Sequence, residues 1–260
     1  MSQTARTGTE FHARTKSFVR RSRGMPANLN RVLETHGGSY IVPVEFDGSR
    51  TTVAEGQPLD WASIFGRTGP LIVEVGSGNG EQVVAAAVEN PGNNYLVFEV
   101  WRPGVAKTIS RAVAAGVTNL RIVEADAAQA LPILVGPGAA AEVWTFFPDP
   151  WRKKRHHKRR LVDAEFARHV ARVLSEDGRW RLATDWDDYA WQMRSVVEST
   201  PVLVNPHRGA RPDPADPEPS SGGFAPRFPG RIRTRFESRG LAEGRTVRDI
   251  TAVKAPGSAD

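Results

Sequence analysis

Short apolar segments alternate with helical segments from residue 71 onward, and this alternation limits the possible folds. Residues 71–75 form an apolar, β-branched run, and residues 81–87 have the spacing of a helix. More strands are predicted at residues 95–100, 119–123, 142–147, 180–184 and about 247–253, with helices between most of them. Parallel strands need helical crossovers, which cover both faces of the sheet. The sequence therefore predicts an α/β fold with a mostly parallel sheet.

The 260 residues also show where the domain should begin and where it should be interrupted. Residues 1–35 are rich in arginine, so we expect a basic N-terminal arm that is partly disordered. Residues 36–260 are predicted to form a single domain. Within it, prolines and glycines crowd residues 201–230 without periodicity, which indicates a long exposed loop or a disordered insertion.

Composition excludes several classes of protein. Cysteine is absent, which rules out disulfide scaffolds, cysteine-ligated zinc and thiol catalysis. Because the apolar runs are too short to span a membrane and no secretory signal is evident, we expect a soluble, cytoplasmic protein without a membrane partner. Lysine and arginine outnumber aspartate and glutamate by 35 to 29, and the resulting charge of +6 favours a polyanionic partner. Both a monomer and a homodimer remain open.

The first predicted strand runs into a glycine-rich turn formed by Gly76, Gly78 and Gly80. A strand, such a turn and a helix together make a binding site for a nucleotide-like ligand. The spacing is Gly-x-Gly-x-Gly and not the Gly-x-Gly-x-x-Gly of a dinucleotide site, which disfavours a nicotinamide dehydrogenase. Glu74 lies just before the turn, where a carboxylate suits a ligand with an ammonium group. S-adenosylmethionine carries that group and no phosphate.

Two more carboxylates follow the next two predicted strands. Glu99 ends the second strand, where it can accept hydrogen bonds from ribose hydroxyls, and Asp126 follows the third, within reach of the adenine end. A single strand-end carboxylate is most often simply solvated. Three of them, after three successive strands, favour a pocket for a methyl donor.

A dense basic run at residues 152–160 follows the segment 146–151 at the end of the fourth predicted strand. Ligands of open α/β sheets bind at this end of the strands. Prolines on both sides of Asp149 restrict its backbone, and the basic side chains can neutralise phosphates. Trp151 is available for stacking on a base or for packing. The two histidines of the run have no further ligand nearby, so we expect no metal site.

These motifs together resemble the bacterial tRNA (guanine-N7-)-methyltransferase family. The resemblance extends from about residue 17 to residue 250, apart from the proline-rich stretch. Its most specific part is Phe-Phe-Pro-Asp-Pro-Trp at residues 146–151 with the basic run after it. The other matching segments are residues 17–21, 73–81, 98–100, 183–186 and 234–240.

The resemblance implies a Rossmann-like class I methyltransferase with a seven-stranded, mostly parallel sheet and helices on both faces. Members of the family transfer a methyl group from S-adenosylmethionine to N7 of the guanosine at position 46 in the tRNA variable loop. The implied donor site consists of Glu74, Gly76, Gly78, Glu99, Asp126 and Asp149. Asp149 is also implied as the catalytic residue. The residues implied to contact the target nucleotide are Lys153, Asp185, Thr234, Arg235, Phe236 and Glu237. The run 152–160 and the N-terminal arm would contact the tRNA.

The implied chemistry agrees with these residue types. N7 of guanine has an in-plane lone pair and no proton, so its methylation needs no general base and can depend on alignment. Carboxylates such as Asp149 and Asp185 can accept hydrogen bonds from guanine N1–H and N2–H₂, donors that adenine lacks. Two alternatives remain open, namely a methyltransferase of another acceptor, such as rRNA or a small molecule, and a non-catalytic RNA-binding protein.

Overall fold

The computed structural model describes residues 16–17, 24–49 and 51–257. The helices are α1 (Ala27–Tyr40), α2 (Trp61–Phe65), α3 (Glu81–Glu89), α4 (Arg102–Ala114), α5 (Ala127–Leu134), α6 (Ala164–Val173), α7 (Asp187–Glu198) and α8 (Arg235–Ala242), with a 3₁₀ helix at Lys154–Arg159. The strands are β1 (Leu71–Val75), β2 (Asn94–Phe98), β3 (Leu120–Val123), β4 (Ala140–Phe146), β5 (Leu174–Thr184), β6 (Leu203–Val204) and β7 (Arg248–Lys254). Within the described residues, no helix has the length and apolar character needed to cross a membrane.

The seven strands form one sheet in the order β3-β2-β1-β4-β5-β7-β6. Strands β1 to β5 pair in parallel, whereas β7 runs antiparallel to both β5 and β6. From β1 the chain first builds outward through β2 and β3 and then crosses back, so that β4 pairs with the other side of β1. Open α/β sheets bind ligands at the carboxyl ends of the strands where the order reverses in this way.

Alternate residues of β1 enter two separate cores. Val73 packs on one face with Phe166 of α6, and Ile72 packs on the other face with Ile109 of α4. All five residues of β1 are buried, as they must be in a strand covered on both sides. The predicted mostly parallel sheet with helices on both faces is confirmed.

Helix α1 begins at residue 27, so the predicted boundary between arm and domain at residues 35–36 falls inside this helix. Val32 and Leu33 pack against the core that contains Ile72. The Tyr40 hydroxyl donates a hydrogen bond to the Val117 carbonyl oxygen over 2.7 Å. The apolar positions of α1 are spaced for a helix but are sparse among polar residues, which is why composition alone assigns them to the arm.

Residues 201–230 contain regular secondary structure only at β6, and side chains of this segment tie it to the sheet and to α7. Asp216 of this segment forms a buried ion pair with Arg194 of α7, and Asp213 pairs with Arg248 of β7. Buried guanidinium groups require acceptors, and this segment supplies two carboxylates to them. The ion pairs hold a segment whose composition has no secondary-structure periodicity.

Candidate active site

The turn between β1 and α3 requires glycine for two reasons. Gly76, Gly78 and Gly80 have φ values of 78°, 57° and 73°, a region that side chains strongly disfavour. At Gly80 a Cβ atom would also lie 2.4 Å from Thr108 Oγ1 on α4. At Gly76 and Gly78, by contrast, a Cβ would meet no heavy atom of the described residues within 4 Å. At these two glycines the backbone therefore borders unfilled space at the carboxyl end of β1.

Glu74 is a buried carboxylate one residue before the end of β1, and only 4% of its surface is exposed. Its Oε2 atom has no hydrogen-bond partner among the described residues. Burial, and secondarily the negative charge of Glu99, raises the pKa of Glu74 from 4.5 to about 8. The residue lines a cavity of about 220 Å³ together with the glycine-rich turn. A buried acceptor without a partner can be satisfied there by a cationic donor group.

Glu99 and Asp126 line a second cavity, of about 280 Å³, beside Gly76. The two carboxylate oxygens of Glu99 accept hydrogen bonds from the backbone N–H groups of Gly78 and Trp101, each over 2.8 Å. Burial raises the pKa of Glu99, and these N–H donors partly oppose the rise. Asp126 caps α5 by accepting a hydrogen bond from the Ala128 N–H over 3.2 Å. The structure thus brings the strand-end carboxylates to one edge of the sheet.

Asp149 lies where the 280 Å³ cavity meets a larger cleft of about 800 Å³, and it lines both. The chain leaves β4 through two non-glycine residues in the left-handed region, Phe147 with φ 52° and Trp151 with φ 45°. Such conformations cost roughly 1–3 kcal/mol each and persist only where the surroundings impose them. Together with Pro148 and Pro150 they give Asp149 a fixed place at the junction.

The larger cleft combines carboxylates with an exposed aromatic ring. Asp185, directly after β5, is buried at its inner wall, and Arg245 Nε donates a hydrogen bond to Asp185 Oδ2 over 2.7 Å. Phe236 of α8 is 54% exposed, and its ring centroid lies 5.4 Å from that of Phe147. A planar base with N–H donors on its edge suits this combination. In the described part of the chain no cluster of three or more histidine, aspartate or glutamate side chains could hold a metal ion.

Comparison with known proteins decides the family. Residues 68–224 match the protein family described as "Putative methyltransferase". The chain is 44% identical over 246 residues to the tRNA (guanine-N(7)-)-methyltransferase of Cutibacterium acnes, covering 95% of this chain and 85% of that protein. It is 43% identical to the protein of the same name from Bifidobacterium longum subsp. infantis, covering 90% and 87%. The chain belongs to the tRNA (guanine-N(7)-)-methyltransferase family.

The fold agrees with that membership. The seven-stranded, mostly parallel sheet with an antiparallel β7 is the Rossmann-like class I methyltransferase fold implied by the resemblance.

The remaining predicted site residues of this methyltransferase lie in different surroundings. Lys153 is exposed and lines none of the three cavities described above. Thr234 and Arg235 line the 220 Å³ cavity beside Glu74, and Phe236 lines both that cavity and the larger cleft. The backbone N–H of Arg235 donates to Glu81 Oε2 over 3.0 Å, so the start of α8 is tied to α3.

Glu237, the last of the predicted nucleotide contacts, is engaged within the protein. Only 2% of its surface is exposed, and its carboxylate pairs with Arg231 over 2.7 Å and with Arg227 over 3.1 Å. Arg231 also binds Asp249 of β7 over 2.6 Å. The Glu237 side chain therefore connects α8 to β7 through Arg231. It does not line the 800 Å³ cleft. Its contact with the target nucleotide stays a prediction.

Trp151 contacts the N-terminal arm at Ser17. Its indole N–H donates a hydrogen bond to the Ser17 carbonyl oxygen over 2.9 Å, and Ser17 lines the 280 Å³ cavity. Lys16 Nζ donates to Thr51 Oγ1 over 3.1 Å. The guanidinium carbon of Arg159 lies 4.9 Å from the Trp151 ring centroid. The rest of the predicted arm, at residues 1–15 and 18–23, lies outside the described residues.

Within the basic run, Arg160 differs from its neighbours because it is buried. Its guanidinium pairs with Asp188 over 2.8 Å, and it also donates to the Pro150 carbonyl oxygen and to Gln192 Oε1. Lys154 and Arg155, by contrast, are exposed on the 3₁₀ helix. Arg160 thus anchors the run to α7, and the residues before it offer positive charge to solvent. Sequence reasoning missed this division, together with Arg231 and Arg245, because nothing in the local pattern distinguishes a buried arginine from an exposed one.

The raised pKa of Glu74 predicts a pH-dependent stability difference between the enzyme and its Glu74→Gln variant. Between pH 4.5 and about 8 the native state holds a proton on Glu74 that the unfolded chain has lost, so the wild type loses stability as pH rises through this window. The variant has no such loss. The quantity to compare is the free energy of unfolding of the variant minus that of the wild type. This difference should be larger at pH 8.5 than at pH 4.5 by on the order of a few kcal/mol. Urea denaturation of the ligand-free proteins measures this.

Glu89→Gln is the matched control, since Glu89 is exposed at the end of α3. Its difference from wild type should be the same at both pH values. An equal difference at both pH values for Glu74→Gln as well would show that Glu74 is ionised in the native protein.

Proposed function

We propose that this enzyme transfers a methyl group from S-adenosylmethionine to N7 of the guanine at position 46, in the variable loop of tRNA. The names of its relatives supply the tRNA and the N7 atom. One observation supports the mechanism most directly, namely that Asp149 borders both the cavity lined by Glu99 and Asp126 and the cleft lined by Asp185. A donor in the first space and a base in the second would meet at this residue.

The residues of the two smaller cavities fit S-adenosylmethionine. The unpartnered Oε2 of Glu74 would accept a hydrogen bond from the donor's amino group, and binding of that cation would favour the ionised carboxylate. Glu99 has lone pairs left for ribose hydroxyls, and Asp126, which lines the same 280 Å³ cavity, would face the adenine side. When bound, S-adenosylmethionine supplies an electrophilic methyl group. Gly76 and Gly78 leave room for it because they have no side chains.

The chain's own contribution to the reaction is alignment and electrostatics. No residue has to remove a proton, because N7 carries none. Asp149 and Asp185 would accept hydrogen bonds from N1–H and N2–H₂ of guanine, while Phe236 provides a surface on which the base can stack. Methylation leaves a positive charge on the ring, and the two carboxylates favour that charge. Holding the base this way turns the reaction into an effectively unimolecular step.

The tRNA backbone would lie on the exposed basic run ahead of Arg160 and on the N-terminal arm. Lysines and arginines on the 3₁₀ helix follow directly from the segment that holds Asp149, so phosphate binding there places the RNA at the mouth of the cleft. The arm would approach the same place, because Trp151 holds Ser17 at the edge of the donor cavity.

The test of this function is transfer of labelled methyl from S-adenosylmethionine to unmodified tRNA, followed by identification of the modified nucleoside. We expect the label in 7-methylguanosine and its loss when the guanosine at position 46 is replaced. Label in 7-methylguanosine at another position would overturn the site, and label in a different nucleoside would overturn the reaction.

Asp149→Ala should remove most of the activity. Loss of one electrostatic contact at the reacting centre typically lowers kcat by roughly 10²–10³-fold. Single-turnover methylation at saturating tRNA and donor measures this effect separately from binding. Glu176→Ala, at an exposed position near the opposite end of the sheet, is the control and should keep the wild-type rate. Unchanged turnover in the Asp149 variant would contradict the proposed role.

Arg159→Ala should mainly weaken tRNA binding. Removing one phosphate contact is expected to lower the slope of log affinity against log salt by about one, with little change in kcat at saturating tRNA. Filter binding at several salt concentrations gives the slope. Arg168→Ala, an exposed arginine on α6, carries the same charge change and should leave the slope unaltered. Equal slopes for the wild type and the Arg159 variant would remove this residue from the interface.

A further inference from the structure

Arg245 forms part of the wall of the acceptor cleft through a contact that the family motifs do not include. It lies between α8 and β7, and its Nε donates a hydrogen bond to Asp185 Oδ2 over 2.7 Å. Asp185 is also covered by Gly240, where an added Cβ would lie 2.6 Å from the same carboxylate oxygen. The buried carboxylate of Asp185 and the guanidinium of Arg245 are therefore hydrogen-bonded to each other and line the same cleft.

The guanidinium of Arg245 is only partly used within the protein. Nη1 pairs with Glu243, and Nε with Asp185. Nη2 has no hydrogen-bond acceptor among the residues that the structure describes. Because Arg245 and Asp185 line the same cleft, an N–H donor and a carboxylate acceptor lie side by side where the base would enter.

Guanine has the complementary pattern on its six-membered ring. N1–H and N2–H₂ are donors that a carboxylate accepts, and O6 beside them is an acceptor. We propose that Arg245 donates a hydrogen bond to O6 of the target guanine while Asp185 accepts from N1–H or N2–H₂, so that the ion pair determines specificity for guanine. Adenine would direct its 6-amino group at the guanidinium and leave the carboxylate without a donor. The inference rests on the proposed function.

A phosphate is the other group that an arginine in this cleft could bind, and exposure separates the two cases. The Arg245 side chain is 21% exposed and lies against a buried carboxylate, whereas Arg239 in the same cleft is exposed. A phosphate at Arg245 would also face Asp185 and Glu243, two negative charges that repel it. A neutral carbonyl oxygen meets no such repulsion.

The test compares Arg245→Met with wild type on tRNAs that carry guanosine, 6-thioguanosine or inosine at the target position. Sulfur at position 6 is a poor acceptor, and inosine lacks the 2-amino group while keeping O6. For wild type we expect kcat/KM for methyl transfer to N7 to fall about tenfold with 6-thioguanosine, as for loss of one hydrogen bond to a charged group. For Arg245→Met the guanosine rate should fall by a similar factor. The penalty for 6-thioguanosine should then nearly vanish, while the ratio of the inosine rate to the guanosine rate should stay as in wild type.

Each other outcome overturns the inference. If Arg245 acts only by holding Asp185, the variant will keep the 6-thioguanosine penalty of the wild type. If Arg245 binds a phosphate, all three tRNAs will lose affinity equally, as expected for the control Arg239→Met. Arg245→Gln, which keeps one amide donor toward Asp185, gives the same comparison should the Met variant not fold. Failure of wild type to methylate position 46 would instead contradict the proposed function itself.

Discussion

The parallel pairing of β1 with β2 on one side and β4 on the other is the constraint on which the rest of this enzyme depends. It directs the carboxyl ends of the strands to one edge, and it separates the residues at the ends of β1 to β3 from those at the ends of β4 and β5. Glu74, Glu99 and Asp126 come from the first group, and Asp149 and Asp185 from the second. The proposed division into a donor side and an acceptor side thus follows from strand order.

Burial then gives similar carboxylates different properties. Glu74 is inside the sheet, its Oε2 has no hydrogen-bond partner among the described residues, and the pKa of its carboxyl is raised to about 8. Glu99 is almost as buried, but two backbone N–H groups oppose the rise. Asp185 forms an ion pair with the Arg245 guanidinium. Among the described residues, the three carboxylates therefore differ in their partners: Glu74 Oε2 has none, Glu99 accepts from two backbone N–H groups, and Asp185 pairs with Arg245.

The net charge of +6 is a poor guide to which arginines bind RNA. Arg160, Arg194, Arg231 and Arg248 are buried and paired with carboxylates of distant segments. Their ion pairs connect the basic run to α7, α7 and β7 to the segment 201–230, and α8 to β7. A buried arginine that lost its partner would leave an uncompensated charge, so these pairs hold the geometry strongly. The positive charge that is exposed to solvent therefore comes from other side chains, such as those of the 3₁₀ helix.

The sequence by itself determined the α/β class, the strand-end carboxylates and the family, because each depends on local periodicity or on residues close together in the chain. It did not determine that α1 belongs to the core, that Glu237 is buried, or that Trp151 contacts Ser17. Nor did it place Arg245 against Asp185, 60 residues away. Those facts depend on where β7 and α8 pack after the sheet has formed. The contacts between distant segments arise from tertiary packing, and no short pattern of residues encodes them.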